Sequence, residues 1–345
     1  MNKAGRLFSV IQVFGLIALR SLRTLSWQIA AKKTIYVKSW FGALGNNIIQ
    51  LAQAEFLVEK TQAVVYTPPH SFLRVGDRYL LHDIQLSPPP ELLYLTSELF
   101  LADLQARDLQ GRDPLSKLDG SALLRSFFYR YDVQPLALKL PDYRRILQSK
   151  ILPLIPYEPD TAITDETLVI HIRSGDIFQD KYPHLAYVQP PLSFYLNIIQ
   201  KYNYQDVVVV TQADLQNPCV EQLQRQLPGV RVQASSLAAD IGTILQARHL
   251  VVGLSTFSVA LGFCSSQIRQ MYVPVFDVKQ GYWRVNFWSD LLRLTVQDGR
   301  AIATDTLDFT IHRIAIPNYT EVGSWKNTPK QRLLMIEHSL DGVRG

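Results

Sequence analysis

Cysteine is scarce in this sequence. Cys219 and Cys264 stand alone and far apart, which excludes a disulfide framework and any paired-cysteine metal or redox motif. No Asp-x-Asp triplet occurs, and the seven histidines show no His-x-His or His-x-x-x-His spacing, so two common ways of holding a cation have no signature here. Acids are missing from the start of the chain: Lys3, Arg6, Arg20, Arg23, Lys32, Lys33 and Lys38 all precede the first one, Glu55. Of 35 basic residues these seven precede every acid, six of them in a leader, leaving 28 against 30 acids in the rest of the chain, so the net charge of +5 is not a property of the body. A slightly acidic body with no basic stripe interleaved with aromatics argues against nucleic-acid binding. There is no repeat of solenoid period and no low-complexity tract. What is present is 47 % hydrophobic against 19 % charged residues over 345 positions, enough for a packed enzyme of about two domains and too apolar for disorder.

The leader, residues 1–33, carries the run LFSVIQVFGLIAL at 7–19. As a helix these 13 residues cover about 20 Å, short of the roughly 30 Å of a bilayer core. On a helix Leu7, Val10, Ile11, Phe14, Ile17, Leu22, Leu25 and Ile29 share one face, and Ser9, Gln12, Arg20 and Arg23 the other. The expectation is a basic apolar helix that meets a membrane surface through residues 7–29, as an interfacial helix or short signal-anchor. No convincing small-x-small cleavage site follows it.

The body divides at LPLIPYEPD, 152–160, into segments 34–152 and 161–315, with a tail at 316–345. The first opens with a strand-like TIYVKSWF, the glycine turn Gly42-Ala43-Leu44-Gly45, a helical pattern from Asn46 to about Lys60, the run AVVYT, and a helical pattern near 91–107. The second alternates apolar strands at 167–173, 206–211, 230–234, 249–254 and 268–276 with amphipathic stretches near 191–202, 217–227, 237–247 and 256–264. Apolar strands alternating with helices predict a parallel sheet covered on both faces. The expected fold is therefore α/β, two Rossmann-like domains facing a cleft, with ligands at the carboxyl ends of the strands.

Three strand-to-helix junctions carry the chemistry. Gly42, Gly45 and Asn46 lie where a backbone can approach a phosphate and a helix N-terminus offers free N–H groups, although a tight turn alone would also use glycine. His171 and Arg173 share one face of the strand LVIHIR and run into Ser174-Gly175-Asp176, where an arginine can fork onto phosphate oxygens or pair with a carboxylate. Ser255-Thr256-Phe257-Ser258 opens a helix as an N-cap or an anion site. Together they form a grip of diphosphate size, the requirement of a nucleotide-sugar transferase.

IHIRSGDIF resembles the H-x-R-R/x-G-D motif shared by the fucosyltransferases that make α1,2 and α1,6 linkages and by the protein O-fucosyltransferases. GALGNNIIQLAQA resembles the glycine loop of the α1,2 enzymes, to which the motifs are closest, and LVVGLSTFSVAL their Ser-Ser-Phe-Ser segment. Asp240, sixteen positions before Thr256, resembles the aspartate of that family's nucleotide site. Three positions depart: Ser174 stands where many members have a second arginine, Asn47 replaces a glutamine, and Thr256 a serine.

The resemblance implies a GT-B fold, with 34–152 on the acceptor side and 161–315 binding a GDP-sugar. It implies GDP-fucose as donor, a glycan acceptor, inversion and no metal or other cofactor. Arg173 would hold the β-phosphate, Asp240 would read guanine, and His171, Ser255, Thr256, Phe257 and Ser258 would line the donor site, faced by Gly42, Gly45 and Asn46. Without a metal, Arg173 and two helix N-termini would take the charge of the departing diphosphate. Inversion also needs a base on the acceptor hydroxyl. Asp180 and His184, in the loop after the arginine, are the candidates, with Glu55 behind them. The aromatics Tyr282, Trp283, Phe287 and Trp288 suit sugar stacking or packing. Other expectations stay open: a GT-B enzyme using another nucleotide sugar, or a non-catalytic nucleotide- or carbohydrate-binding relative. The leader would place the enzyme in the Golgi of a eukaryote or on the cytoplasmic membrane face of a bacterium.

Overall fold

The computed structural model describes residues 34–37, 39–61, 64–75, 93–96, 122–125, 140–160, 162–179, 188–276, 296–297, 300–301, 307–319 and 325–340. The leader, Asp180, His184 and the aromatics at 282–288 lie outside the described residues. No helix among the described residues is long and apolar enough to cross a membrane.

The first unit consists of β1 (Thr34–Val37), α1 (Leu44–Thr61), β2 (Val64–Tyr66), β3 (Leu93–Thr96) and β4 (Ala122–Arg125). Its strands form a parallel sheet in the order β2-β1-β4-β3. Residues 93–96 correct the helix expected near 91–107. Leu-Tyr-Leu-Thr pairs in register with β4 from Leu93↔Ala122 to Thr96↔Arg125. In so short an apolar run periodicity cannot choose between helix and strand, and the partner strand decides. The chain then forms α2 (Leu140–Ile146), which loosens into one π turn at Leu147–Ile151 and a 3-10 turn at Leu152–Leu154.

The second unit is more regular. It runs β5 (Thr167–His171), α3 (Leu192–Lys201), β6 (Asp206–Val210), α4 (Pro218–Gln226), β7 (Val230–Gln233), α5 (Leu237–Gln246), β8 (His249–Val251), α6 (Thr256–Cys264) and β9 (Gln270–Phe276). A two-stranded pair, β10 (Val296–Gln297) and β11 (Arg300–Ala301), precedes β12 (Thr310–Ile316) and α7 (Pro329–Glu337). Each helix of the repeat from α4 to α6 starts where a short polar side chain caps it: Asn217 accepts from the Cys219 N–H, Ser236 from Ala239 and Ser255 from Phe257. Thr328 and Gln331 cap α7 reciprocally. All strands of the six-stranded sheet are parallel, in the order β12-β9-β8-β5-β6-β7. The α/β class with a covered parallel sheet is thus as the sequence predicts. From β5 the chain adds strands outward to β7, returns to β8, and continues the other way. The topological switch point therefore lies between β5 and β8, and the crevice outside their carboxyl ends is where such sheets hold ligands.

Two apolar cores cover this sheet. On one side Leu168, Ile170, Phe194, Ile198 and Leu223 pack with Trp325 and Met335, so the last residues, expected as a tail, are part of the core. On the other, Val169, Val208, Ile241 and Ile244 join Val259 and Phe263 of α6 and Ile48, Leu51 and Ala52 of α1. The two units thus share one apolar layer, formed where α1 lies on α6. Arg144 of α2 is buried and donates to the carbonyls of Gly262 (3.4 Å) and Phe263 (3.2 Å), capping the C-terminal end of α6 as the helix dipole favours. The segment 152–160, where the sequence divides the body, is tied down: the Glu158 N–H donates to the Ala238 carbonyl (3.0 Å). Asp160 accepts from the Thr243 hydroxyl (2.8 Å). Glu158 and Asp160, an acid-x-acid pair in sequence, serve this tether.

Candidate functional site

The site grows from the carboxyl end of β5. Alternation sends Ile170 and Ile172 into one core, while the His171 ring turns to the α6 side and meets Phe257, with centroids 5.5 Å apart. The strand then gives way to a turn that glycine makes possible: Gly175 has φ +68, and a Cβ there would sit 2.3 Å from Gln212 Nε2. Nearly every polar group of this turn is held by the loop after β6. Ser174 N–H donates to Gln212 Oε1 (2.7 Å), Gly175 N–H to Asp214 Oδ1 (3.1 Å), and Asn217 Nδ2 to the Arg173 carbonyl (2.9 Å). The Ser174 hydroxyl is fully buried and accepts from the Asn217 N–H (3.1 Å). Position 174 thus faces inward, and an arginine there would have to bury its guanidinium. From the far side Trp325 Nε1 donates to the Ile177 carbonyl (2.6 Å) and Asn327 Nδ2 to that of Phe178 (2.8 Å).

Sequence reading missed Gln212, Asp214, Asn217, Trp325 and Asn327. The signal for the first three is the polar run TQADLQN directly after an apolar strand, and for the last two there is none short of the fold. The whole assembly presents the Arg173 side chain, which is 21 % exposed and donates from a single nitrogen, Nη2, to both oxygens of the more exposed Asp176 at 2.9 and 3.1 Å. Of the sequence alternatives, pairing with a carboxylate is therefore present. That pair is exposed enough to be worth at most about 1 kcal/mol, so a phosphate can replace the carboxylate.

The second component is a meeting of two helix N-termini. A Cβ on Gly45, in the first turn of α1, would lie 2.4 Å from the Phe257 nitrogen and 2.6 Å from Thr256 C, in the first turn of α6. Gly42, at φ +68, lets the chain enter α1 at this angle. Each helix end carries a partial positive charge, so the contact is unfavourable unless something negative offsets it. Asn46 Oδ1, His171 Nδ1 and Ser258 Oγ are buried with no hydrogen-bond partner among the described residues, and each belongs to a residue touching or flanking this contact. Orphaned polar atoms at one locus call for a partner there, a bound water or a ligand group. Gly253 closes the gap between β8 and β5, since a Cβ there would meet the His171 carbonyl at 2.9 Å and Arg173 N at 3.8 Å.

Asp240, in the first turn of α5, lies beside β7. It accepts from Gln233 Nε2 (3.0 Å), and burial raises its pKa against that bond. A cavity of about 600 Å³ opens beside Gln233 and Ser235, bounded by Leu215 and Gln224. Glu55 is buried in α1. Among the described residues no group of three His, Cys, Asp or Glu is placed to hold a metal ion.

His171 gives a pH prediction. Its burial, and secondarily the charge of Arg173, pushes its pKa down to about 3. The unfolded chain takes up this proton near pH 6.5 and the folded one does not. The contribution of neutral His171 is full above about pH 6.5 and is lost as the pH falls toward 3. His171→Gln is expected to lose less Tm than wild type between about pH 7 and pH 4. Equal losses would assign the acid sensitivity to other groups.

No protein-family model matches this chain, and no curated protein sequence matches it either. Among solved structures it is similar to a mutant of Arabidopsis thaliana FUT1 in complex with GDP, at 14 % identity and TM-score 0.41 over 70 % of each chain. It is also similar to the E. coli ADP-heptose LPS heptosyltransferase II, at 13 % identity and TM-score 0.33 over 72 % of this chain and 86 % of that one.

Proposed function

We propose that this chain is a GT-B glycosyltransferase that moves fucose from GDP-fucose to a glycan or glycoprotein hydroxyl with inversion and without a metal. The observation that carries the reading is the contact of two positive helix ends at Gly45 and Phe257, beside the arginine turn and at the switch point of the sheet. A diphosphate is the ligand class that suits two helix N-termini and a guanidinium fork together. In this reading Arg173 exchanges Asp176 for the β-phosphate and takes up charge as GDP departs. His171, neutral and desolvated, keeps water from the reacting side. Thr256, Phe257, Ser255 and Ser258 line the phosphate and sugar, and Asp240 accepts from the base, a guanine edge having the donors it needs. Asp180 or His184 supplies the base for the acceptor hydroxyl. Residues 7–29 hold the enzyme at a membrane surface, in the Golgi or on a bacterial cytoplasmic face.

The test is calorimetric titration of the purified chain with GDP, GDP-fucose, GDP-mannose and UDP-glucose in EDTA. Guanine-selective binding is expected. Binding of UDP-glucose alone would move the assignment to another nucleotide sugar. GDP binding with no turnover of GDP-fucose on any glycan would leave a non-catalytic relative.

A further inference from the structure

The glycine turn is held by a network outside the three motifs. His70, on the irregular segment after β2, accepts at Nδ1 from the backbone N–H groups of Phe72 and Leu73, both at 2.9 Å. A ring nitrogen that accepts twice carries no proton, so the proton is on Nε2, which donates to Asn47 Oδ1 at 3.0 Å. That contact fixes the orientation of the Asn47 amide, and its Nδ2 donates to the Phe41 carbonyl at 2.9 Å. The Gln50 side chain continues the strip, donating to the Ser39 carbonyl at 3.0 Å. Trp40 donates from Nε1 to the Pro69 carbonyl (3.0 Å) and stands edge-on to the His70 ring, with centroids 4.9 Å apart. Residues 39–41 therefore take these contacts from side chains of α1 and from the 68–73 segment, not from a strand. Asn47, a departure from the family's glutamine, is the bridge.

We infer that His70 is a positioning residue for the glycine turn: through its Nε2–H it sets Asn47, and through Asn47 the Phe41 carbonyl from which the chain enters Gly42. The inference rests on the donor-site reading for its functional consequence, since Gly42 and Gly45 are the backbone that faces the ligand. A histidine that merely stapled its own turn would need only Nδ1, an acceptor that asparagine reproduces for N–H groups two and three residues on. A histidine that positions the glycine turn needs Nε2–H, a donor that glutamine reproduces and asparagine does not.

The test compares His70→Asn, His70→Gln and wild type by hydrogen exchange over 39–47 and by GDP affinity. Expected for His70→Asn are faster exchange across 39–47, unchanged exchange in β5 to β9, and GDP binding weakened about fivefold to tenfold, the size of one lost neutral hydrogen bond. His70→Gln is expected to stay within about threefold of wild type, because its amide keeps the contact to Asn47. Wild-type exchange over 39–47 in His70→Asn would overturn the inference. Faster exchange with unaltered GDP affinity would reduce His70 to a local staple. If wild type itself bound no GDP, the donor-site reading would fall, while the exchange comparison would still decide whether His70 holds the turn.

Discussion

Arg173→Ala is expected to weaken GDP binding by on the order of a hundredfold, about 3 kcal/mol, while leaving the fold intact. The two halves of that expectation have separate causes. Ligand binding would lose a forked, charge-assisted pair in a site where the remaining donors are backbone N–H groups and helix dipoles. Stability would lose the bond to Asp176, an exposed partner, and such pairs contribute about 1 kcal/mol or less. The backbone of residue 173 keeps its bond from Asn217, because that uses the carbonyl. Transfer from GDP-fucose should fall further than binding, since charge on the β-phosphate grows as the bond to the sugar breaks. Arg173→Lys keeps the charge and loses the fork, so it should sit between, roughly tenfold down in affinity. Calorimetry for affinity and a melting curve for Tm check both halves. A Tm collapse with unaltered GDP affinity would make Arg173 a structural residue and remove the core of the proposed site.

The second unit was the more legible in sequence, and the reason is physical. Its inner strands β5, β6, β8 and β9 are largely buried and its helices α4 to α6 are capped by Asn217, Ser236 and Ser255, so apolar runs and capping residues mark the boundaries directly. Helix Thr256–Cys264 coincides with the stretch expected at 256–264. The first unit has strands of three or four residues, too short for a period to show, which is why Leu93–Thr96 reads as a helix until its partner strand is known. For the proposed site, the sequence marks the candidate residues, because they are glycines, an arginine and hydroxyls at strand ends. It does not mark the residues that hold those in place. Gln212, Trp325, Asn327 and His70 act through contacts between distant parts of the chain, up to 149 residues apart for Asn327 and Phe178. Apart from the polar run that contains Gln212, nothing local to them distinguishes such a residue from a solvated one.

Gly45→Ala is expected to be a strongly damaging single-methyl change. The added Cβ would fall 2.4 Å from Phe257 N and 2.6 Å from both Phe257 Cα and Thr256 C. All three are backbone atoms of a helix whose residues 258–264 are buried, so no side chain can swing aside. The helix cannot shift along its own axis either, because Arg144 holds the Gly262 and Phe263 carbonyls at its other end. Relief therefore requires α1 and α6 to part by about 1 Å, which opens the apolar layer that joins the two units. Overpacking of this kind costs about 1–3 kcal/mol or more, and for a chain of this size each kcal/mol lowers Tm by about 2–4 °C. Gly42→Ala makes the useful contrast. Its φ is +68, but its nearest neighbour is the movable end of the Asn46 side chain, so the cost is mainly the left-handed backbone, about 1–2 kcal/mol. Because the parting helices are the two whose N-termini meet at the proposed phosphate site, Gly45→Ala should also lose GDP affinity at temperatures where it is still folded. Gly42→Ala should lose less of both. Wild-type Tm in Gly45→Ala would mean that α1 does not rest on α6 in solution, and the meeting of helix ends on which the proposed function depends would go with it.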